Sequence, residues 1–275
     1  MSYIVVTIML IHWTFLCVCG IIKLFKPVGV YIIMYKNIKT YEIRYTDVDF
    51  KDELKLSSLL SILEESACLS ADELGFGYND IAPRGIGFIL ANWYIEIYRP
   101  MTLRDRLTVH TWPMKPKNTI FFREFEVYCD GIKVCSATTR WCMVDLKTFG
   151  VLPTSAFFEG DTREYNDFRA IEFNSWRIPP VKEGVKKYEK VVSSSDYDHY
   201  FHVNNTKYAD FCLDAFSVDE LEGKSLGTVQ ITYVKQCKYG EKLEFYRSDE
   251  GVISYVEGRV NGEPRVRLKV EFIAE

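Results

Sequence analysis

Between residues 46 and 65 the chain reads TDVDFKDELKLSSLLSILEE, and Leu56, Leu59, Leu60 and Leu63 fall at helical spacing. The pattern returns at 195–214 as SDYDHYFHVNNTKYADFCLD, where Tyr208, Phe211, Cys212 and, just beyond, Ala215 keep the same period. Each copy opens with Ser or Thr, Asp, any residue, Asp, crosses a short polar loop and enters a predicted helix. Asn204 or Asn205 suits the N-cap of the second. After each helix the period changes to two, the signature of strands. IGFILANWYIEIYRPMTLRDRLTVHTWP (86–113) matches LGTVQITYVKQCKYGEKLEFY (226–246), with RDRLTV set against GEKLEF. Hairpins are then predicted at Cys129-Asp130-Gly131 and at Asn261-Gly262.

The chain therefore reads as one unit written twice, each a long helix plus consecutive antiparallel strands. A helix with one apolar stripe must bury it, and the sheet is the surface at hand. The expected class is α+β, with a first domain over 40–152 and a second over 191–275. Residues 153–190, with Pro153, Pro179, Pro180 and the run KEGVKKYEK, read as a linker.

Residues 3–22, YIVVTIMLIHWTFLCVCGII, carry no charge and match the length of a bilayer span. Lys23, Lys26, Lys36 and Lys39 follow, so a real transmembrane helix would leave the remainder in the cytosol. A cleaved signal peptide fits less well, since no basic residue precedes the apolar run. The other reading makes 1–33 an upstream extension and Met34 the start. Over the full 275 residues, 48% are apolar and the net charge is −4 with no long basic run, which sets nucleic acid aside. The eight Cys show no C-x-x-C spacing beyond the apolar lead and are expected to be reduced and buried, as in a cytoplasmic protein.

Asp196, Asp198, His199, His202, Asn204 and Asn205 lie within ten positions just before a helix. A His titrates near neutrality and carries protons, and N–H groups at a helix start can hold an oxyanion. That combination reads as a reaction site. The first copy has Glu53 where the second has His202, so only the second is expected to react. Asp196 is expected to brace its loop, as Asp47 does in the first copy. His199 and His202 with the two Asp could hold a metal, but no distant fourth ligand can be named.

HVNNTKY with its preceding acids, FILANWYIEIYRPMTLRDRLTVHTWP and RWCMVDLKT together resemble a known family, the acyl-acyl carrier protein thioesterases, over about residues 40–275. The resemblance implies two fused hotdog domains, in which the first contributes the acyl pocket and the second hydrolyses fatty acyl-acyl carrier protein to free fatty acid. It implies no metal and no cofactor. The expected partner is acyl carrier protein, with candidate membrane contact through 3–22 and a monomer or homodimer state. The family pattern is Asp-x-Asn-x-His-Val-Asn-Asn with a distal Glu-Cys pair on a following strand. Asp198, His202 and Asn204 match it; Tyr200 replaces the Asn, and the distal pair reads Gln236-Cys237. Asp198 and His202 are then the expected acid–base pair. Gln236 would position water or the carbonyl, Asn204 would cap or assist, and Cys237 would be bystander or nucleophile. Lys235, Lys238 and Lys242, with Lys186, Lys187 and Lys190, offer a basic docking surface for an acidic carrier. An acyl-CoA hydrolase and a non-catalytic acyl-binding module stand as alternatives.

Overall fold

The computed structural model describes residues 35–274. The apolar run 3–22, and with it the span and start-site readings, lies outside the described residues. Among those described, no helix is long and apolar enough to cross a membrane. The strands are β1 (Asn37–Glu42), β2 (Ile86–Ile97), β3 (Arg106–Pro113), β4 (Ile120–Cys129), β5 (Ile132–Asp145), β6 (Val151–Leu152), β7 (Val185–Val191), β8 (Lys224–Tyr233), β9 (Lys242–Glu250), β10 (Ile253–Val260) and β11 (Glu263–Ala274). The helices are α1 (Leu56–Glu73), α2 (Tyr78–Ile81), α3 (Ser155–Phe158), α4 (Asn205–Leu213) and α5 (Val218–Leu221).

The strands form a single sheet in the order β1-β3-β4-β5-β2-β8-β11-β10-β9-β7, with β6 beside β5. The first five belong to the first repeat. The last five, read from the far edge, repeat the same order, as the duplicated sequence requires. Both meander hairpins turn on residues that tolerate positive φ: Asp130 and Gly131 at 50° and 77°, Asn261 and Gly262 at 51° and 80°. That is the two-residue turn whose twist matches paired strands. The halves join where β2 and β8 run antiparallel from Asn92 opposite Thr232 to Glu96 opposite Thr228. Asn92 Nδ2 donates to Thr232 Oγ1 at 2.8 Å across this seam. This is the double hotdog architecture.

The apolar stripes of both helices enter one shared core. Leu56, Leu59, Leu60 and Leu63 of α1 and Tyr208, Phe211 and Cys212 of α4 are buried in the same cluster as Trp93, Phe125, Val229 and Leu268 from the sheet. Phe88 instead belongs to a smaller cluster with Phe76, Phe121 and Phe158. Residues 161–184 carry no regular element, yet Ala170, Ile171, Ile178 and Val181 are buried. Trp112 Nε1 donates to the Phe168 carbonyl and Gln230 Nε2 to that of Ser175, so this segment is pinned to β3 and β8. The cysteines of the described residues are free; Cys68 is exposed and Cys142 half-buried, and the other four are buried as expected.

Leu63 is fully buried between helix and sheet. Leu63→Ala is expected to lower unfolding free energy by about 2–5 kcal/mol in urea titration, since the cavity cannot collapse within a sheet held on both sides. A loss under about 1 kcal/mol would show that the stripe is not packed as described.

Candidate active site

The two Asp-x-Asp loops are built alike, bond for bond. In the first, Asp49 Oδ1 accepts from the N–H groups of Lys51 and Glu53 at 2.8 and 3.1 Å. In the second, Asp198 Oδ1 accepts from those of Tyr200 and His202 at 2.8 and 3.3 Å. Asp52 and Phe201 hold positive φ at the same place, 61° and 59°. The outer acids also correspond: Asp47 takes the Arg44 N–H and guanidinium, and Asp196 takes the Ser193 N–H and hydroxyl and the Lys190 ammonium. Burial opposes ionisation of Asp196, and the Lys190 and Ser193 bonds outweigh it, holding the carboxyl below its ordinary range. Asp198 thus reaches His202 through the backbone, as a loop brace.

The loop then enters α4 through Asn204. Its Oδ1 accepts from Thr206 N at 2.9 Å, the N-cap geometry, and from Thr206 Oγ1 at 2.8 Å. Among the described residues no hydrogen bond takes the Asn205 N–H, which leaves one first-turn donor at the positive end of the helix. The His202 side chain is half-buried, and its ring lies 6.0 Å from that of Phe149, in the β5–β6 turn of the first repeat. The Tyr200 ring lies 5.1 Å from Tyr78 of α2 and 3.8 Å from His199. Burial pushes the Tyr200 phenol up to about 12, so it stays a neutral donor. The second loop therefore sits across the boundary between repeats.

Its counterpart crosses the boundary the other way. Glu53, at the position of His202, accepts from Ser225 Oγ of β8 at 2.5 Å and pairs with Lys51 at 2.9 Å. A carboxylate held this way ties its loop to the opposite repeat.

Gln236 and Cys237 lie past the end of β8 rather than on a strand. The ladder stops because Val234 and Lys235 both donate to the one carbonyl of Arg265, at 2.8 and 3.2 Å. Tyr208 of α4 gathers the pair: its hydroxyl accepts from Cys237 N at 3.1 Å and donates to Gln236 Oε1 at 3.5 Å. Among the described residues no hydrogen bond joins either to His202. Cys237 is 3% exposed, and burial pushes its thiol up, with Tyr208 opposing, which makes it a poor nucleophile. Among the described residues no three His, Cys, Asp or Glu side chains converge as a metal site would need.

One acid that the sequence reading did not single out faces the same loop. Glu64 is half-buried on α1, and its Oε1 is buried without a hydrogen-bond partner. Burial pushes its carboxyl up to about 7; the Asn205 side chain opposes that shift and the charge of Asp198 adds to it. The signal was present in the sequence. Glu64 stands four after Leu60 and eight after Leu56, a charged residue on the apolar stripe.

The lysines expected to greet an acidic carrier are mostly committed. Lys235 pairs with Glu263, Lys242 with Glu189, Lys186 with Glu189 and Glu244, and Lys190 with Asp196.

The fold defines a duplicated hotdog protein, and the comparisons agree with that architecture. The acyl-ACP thioesterase N-terminal domain matches residues 34–152 and the acyl-ACP thioesterase C-terminal domain residues 181–273. The chain belongs to the acyl-ACP thioesterase family. It is 23% identical over 221 residues to an acyl-[acyl-carrier-protein] hydrolase, FATB2, of Cuphea viscosissima, covering 75% of this chain and 53% of that one. It is 21% identical over 212 residues to a palmitoyl-acyl carrier protein thioesterase of Gossypium hirsutum, covering 72% and 51%. The chain spans about half the length of these chloroplastic relatives. An acyl-ACP thioesterase structure from Bacteroides thetaiotaomicron superposes with a TM-score of 0.79 at 25% identity, covering 86% of this chain and 98% of that one. The 12:0-ACP thioesterase of Umbellularia californica shares the fold, with a TM-score of 0.77 at 15% identity, covering 90% and 100%.

If Asp198 acts as a brace, Asp198→Asn keeps the accepting Oδ1 and is expected to stay within about 0.5 kcal/mol of the parent. Asp198→Ala, which strips both N–H groups of their acceptor, is expected to lose about 1–3 kcal/mol. Chemical denaturation of the two variants checks this, and equal losses would remove the bracing role.

Proposed function

We propose that this chain hydrolyses the thioester of fatty acyl-acyl carrier protein, releasing fatty acid and the carrier thiol. The observation that carries this reading is His202, set by an Asp-braced loop at the capped start of α4, in a chain that matches both domains of the family. The reaction needs a proton carrier, a donor for the oxyanion and a base for water. His202 is the proton carrier. The Asn205 N–H, aided by the helix dipole, is the donor for the developing oxyanion. Tyr208 holds Gln236, an amide that can orient a substrate carbonyl or water but cannot take a proton. The raised Cys237 thiol favours a bystander role and a general-base route. The first repeat, 40–152, shapes the acyl pocket beside the loop it contacts. Acyl carrier protein is the proposed partner. With most of the lysines already paired, its docking would rest less on charge than the sequence suggests.

The direct assay is fatty acid release from acyl-acyl carrier protein substrates of graded chain length by the purified chain and its variants. His202→Ala is expected to lose about 100-fold or more in kcat, while Cys237→Ser stays within about tenfold. Faster turnover of acyl-CoA would move the assignment to the coenzyme A ester. Bound fatty acid without turnover of any ester would make the chain a binding module.

A further inference from the structure

The proposed hydrolysis lacks one part. Asp198 has turned Oδ1 to the backbone, and the residue at 236 is an amide. An amide cannot take the proton of an attacking water, and Asp198 has one of its two oxygens committed to bracing the loop. Glu64 offers a further carboxylate, and it comes from the other repeat. α1 packs against α4, and Glu64 faces the first residue of α4, Asn205, whose side chain favours its charged form.

The repeat register makes the pairing informative. An offset of 149 residues places Leu56 opposite Asn205 in the alignment and Glu64 opposite Leu213. Leu56 is 1% exposed and Leu213 packs against the core, so the pair at the equivalent site, where the first repeat's helix starts, is apolar. Only the site at the start of α4 carries the polar pair. A lone carboxylate is unfavourable in such a place unless something stabilises it. Here its Oε1 has no protein partner, although Tyr233, whose hydroxyl donates to the Asn205 carbonyl at 3.0 Å, adjoins it. The charged and titratable neighbours of Glu64 are Asp198 of the loop, Tyr233 of β8 and Cys68 of α1. None is a cation.

We propose that Glu64 is the general base of the site, supplied by the first repeat to the loop of the second. This rests on the thioesterase reading. The Glu64 carboxylate takes one proton from water as the water oxygen bonds to the acyl carbonyl carbon. The carbon–sulfur bond then breaks, and its electron pair leaves on sulfur. His202 as imidazolium gives that sulfur a proton; Glu64 then releases its proton to water and the imidazole takes one up from water, restoring both groups. The fatty acid releases its proton to solvent. A base that is half ionised near neutral pH is suited to this step, and the buried setting of Glu64 provides it.

The test uses the full chain and the variants Glu64→Gln, Glu64→Asp and, as control, Glu65→Gln, which alters an exposed neighbour on the same helix. Turnover of acyl-acyl carrier protein is followed against pH. The expected result is a kcat loss of about 100-fold or more in Glu64→Gln with KM little changed, and partial activity in Glu64→Asp. The parent's rise in kcat centred near pH 7 should be absent from Glu64→Gln. Thermal unfolding gives a second readout. A carboxyl whose folded pKa is raised disfavours the folded state as pH climbs from about 4.5 through 7. Glu64→Gln should therefore match the parent in Tm near about pH 4 and exceed it near about pH 8. If the parent turns over and Glu64→Gln keeps both its kcat and its acid limb, Glu64 is not the base and the thioesterase reading stands. If the parent hydrolyses no acyl thioester, that reading falls and takes this role with it.

Discussion

The pairing of β2 with β8 is the constraint from which the rest follows. Over Asn92–Glu96 and Thr228–Thr232 it turns two half-sheets into one surface. Each half supplies one long helix with a single apolar stripe, and neither stripe can stay in water. With the sheets continuous, α1 and α4 bury their stripes in one core and meet each other. That contact brings the start of α4 up to the middle of α1. It also lays each Asp-x-Asp loop against the opposite repeat, Glu53 on Ser225 and His202 near Phe149.

Duplication then allows the halves to diverge within one frame. The bracing bonds of Asp49 and Asp198 are the same, so they belong to the loop's architecture and not to its chemistry. The differences fall where each loop and helix start meet the opposite repeat: Glu53 against His202, and Leu56 with Leu213 against Asn205 with Glu64. The second change costs stability. Raising a carboxyl from 4.5 to about 7 corresponds to a few kcal/mol against folding once the pH exceeds both values. A group retained at such cost fits the trade between stability and activity seen at reacting sites.

Much of this was legible in the residues. The repeat, the two helices, the Asp130-Gly131 and Asn261-Gly262 turns and the capping Asn204 all follow from local pattern, because turn and cap chemistry act over a few residues. The partners of Gln236 and Cys237 did not follow. Their tether to Tyr208 spans 28 and 29 residues, and the end of β8 depends on which carbonyl Val234 and Lys235 share. The pairing of several of the lysines did not follow for a similar reason, since Glu189, Glu244 and Glu263 meet Lys242, Lys186 and Lys235 from other parts of the chain. Glu64 was visible as a charge on an apolar stripe. Its meaning waited on the α1–α4 contact, which lies about 140 residues along the chain and beyond any periodicity.

The central claim is that the site is shared between repeats through Glu64 and Asn205. Its most direct measurement is a carbon-13 titration of the Glu64 side-chain carboxyl by NMR, in the parent and in Asn205→Leu. The account predicts a midpoint near about 7 in the parent, moving higher when the Asn205 amide no longer favours the charged form. A midpoint near the ordinary carboxyl value of 4.5, indifferent to Asn205, would contradict it.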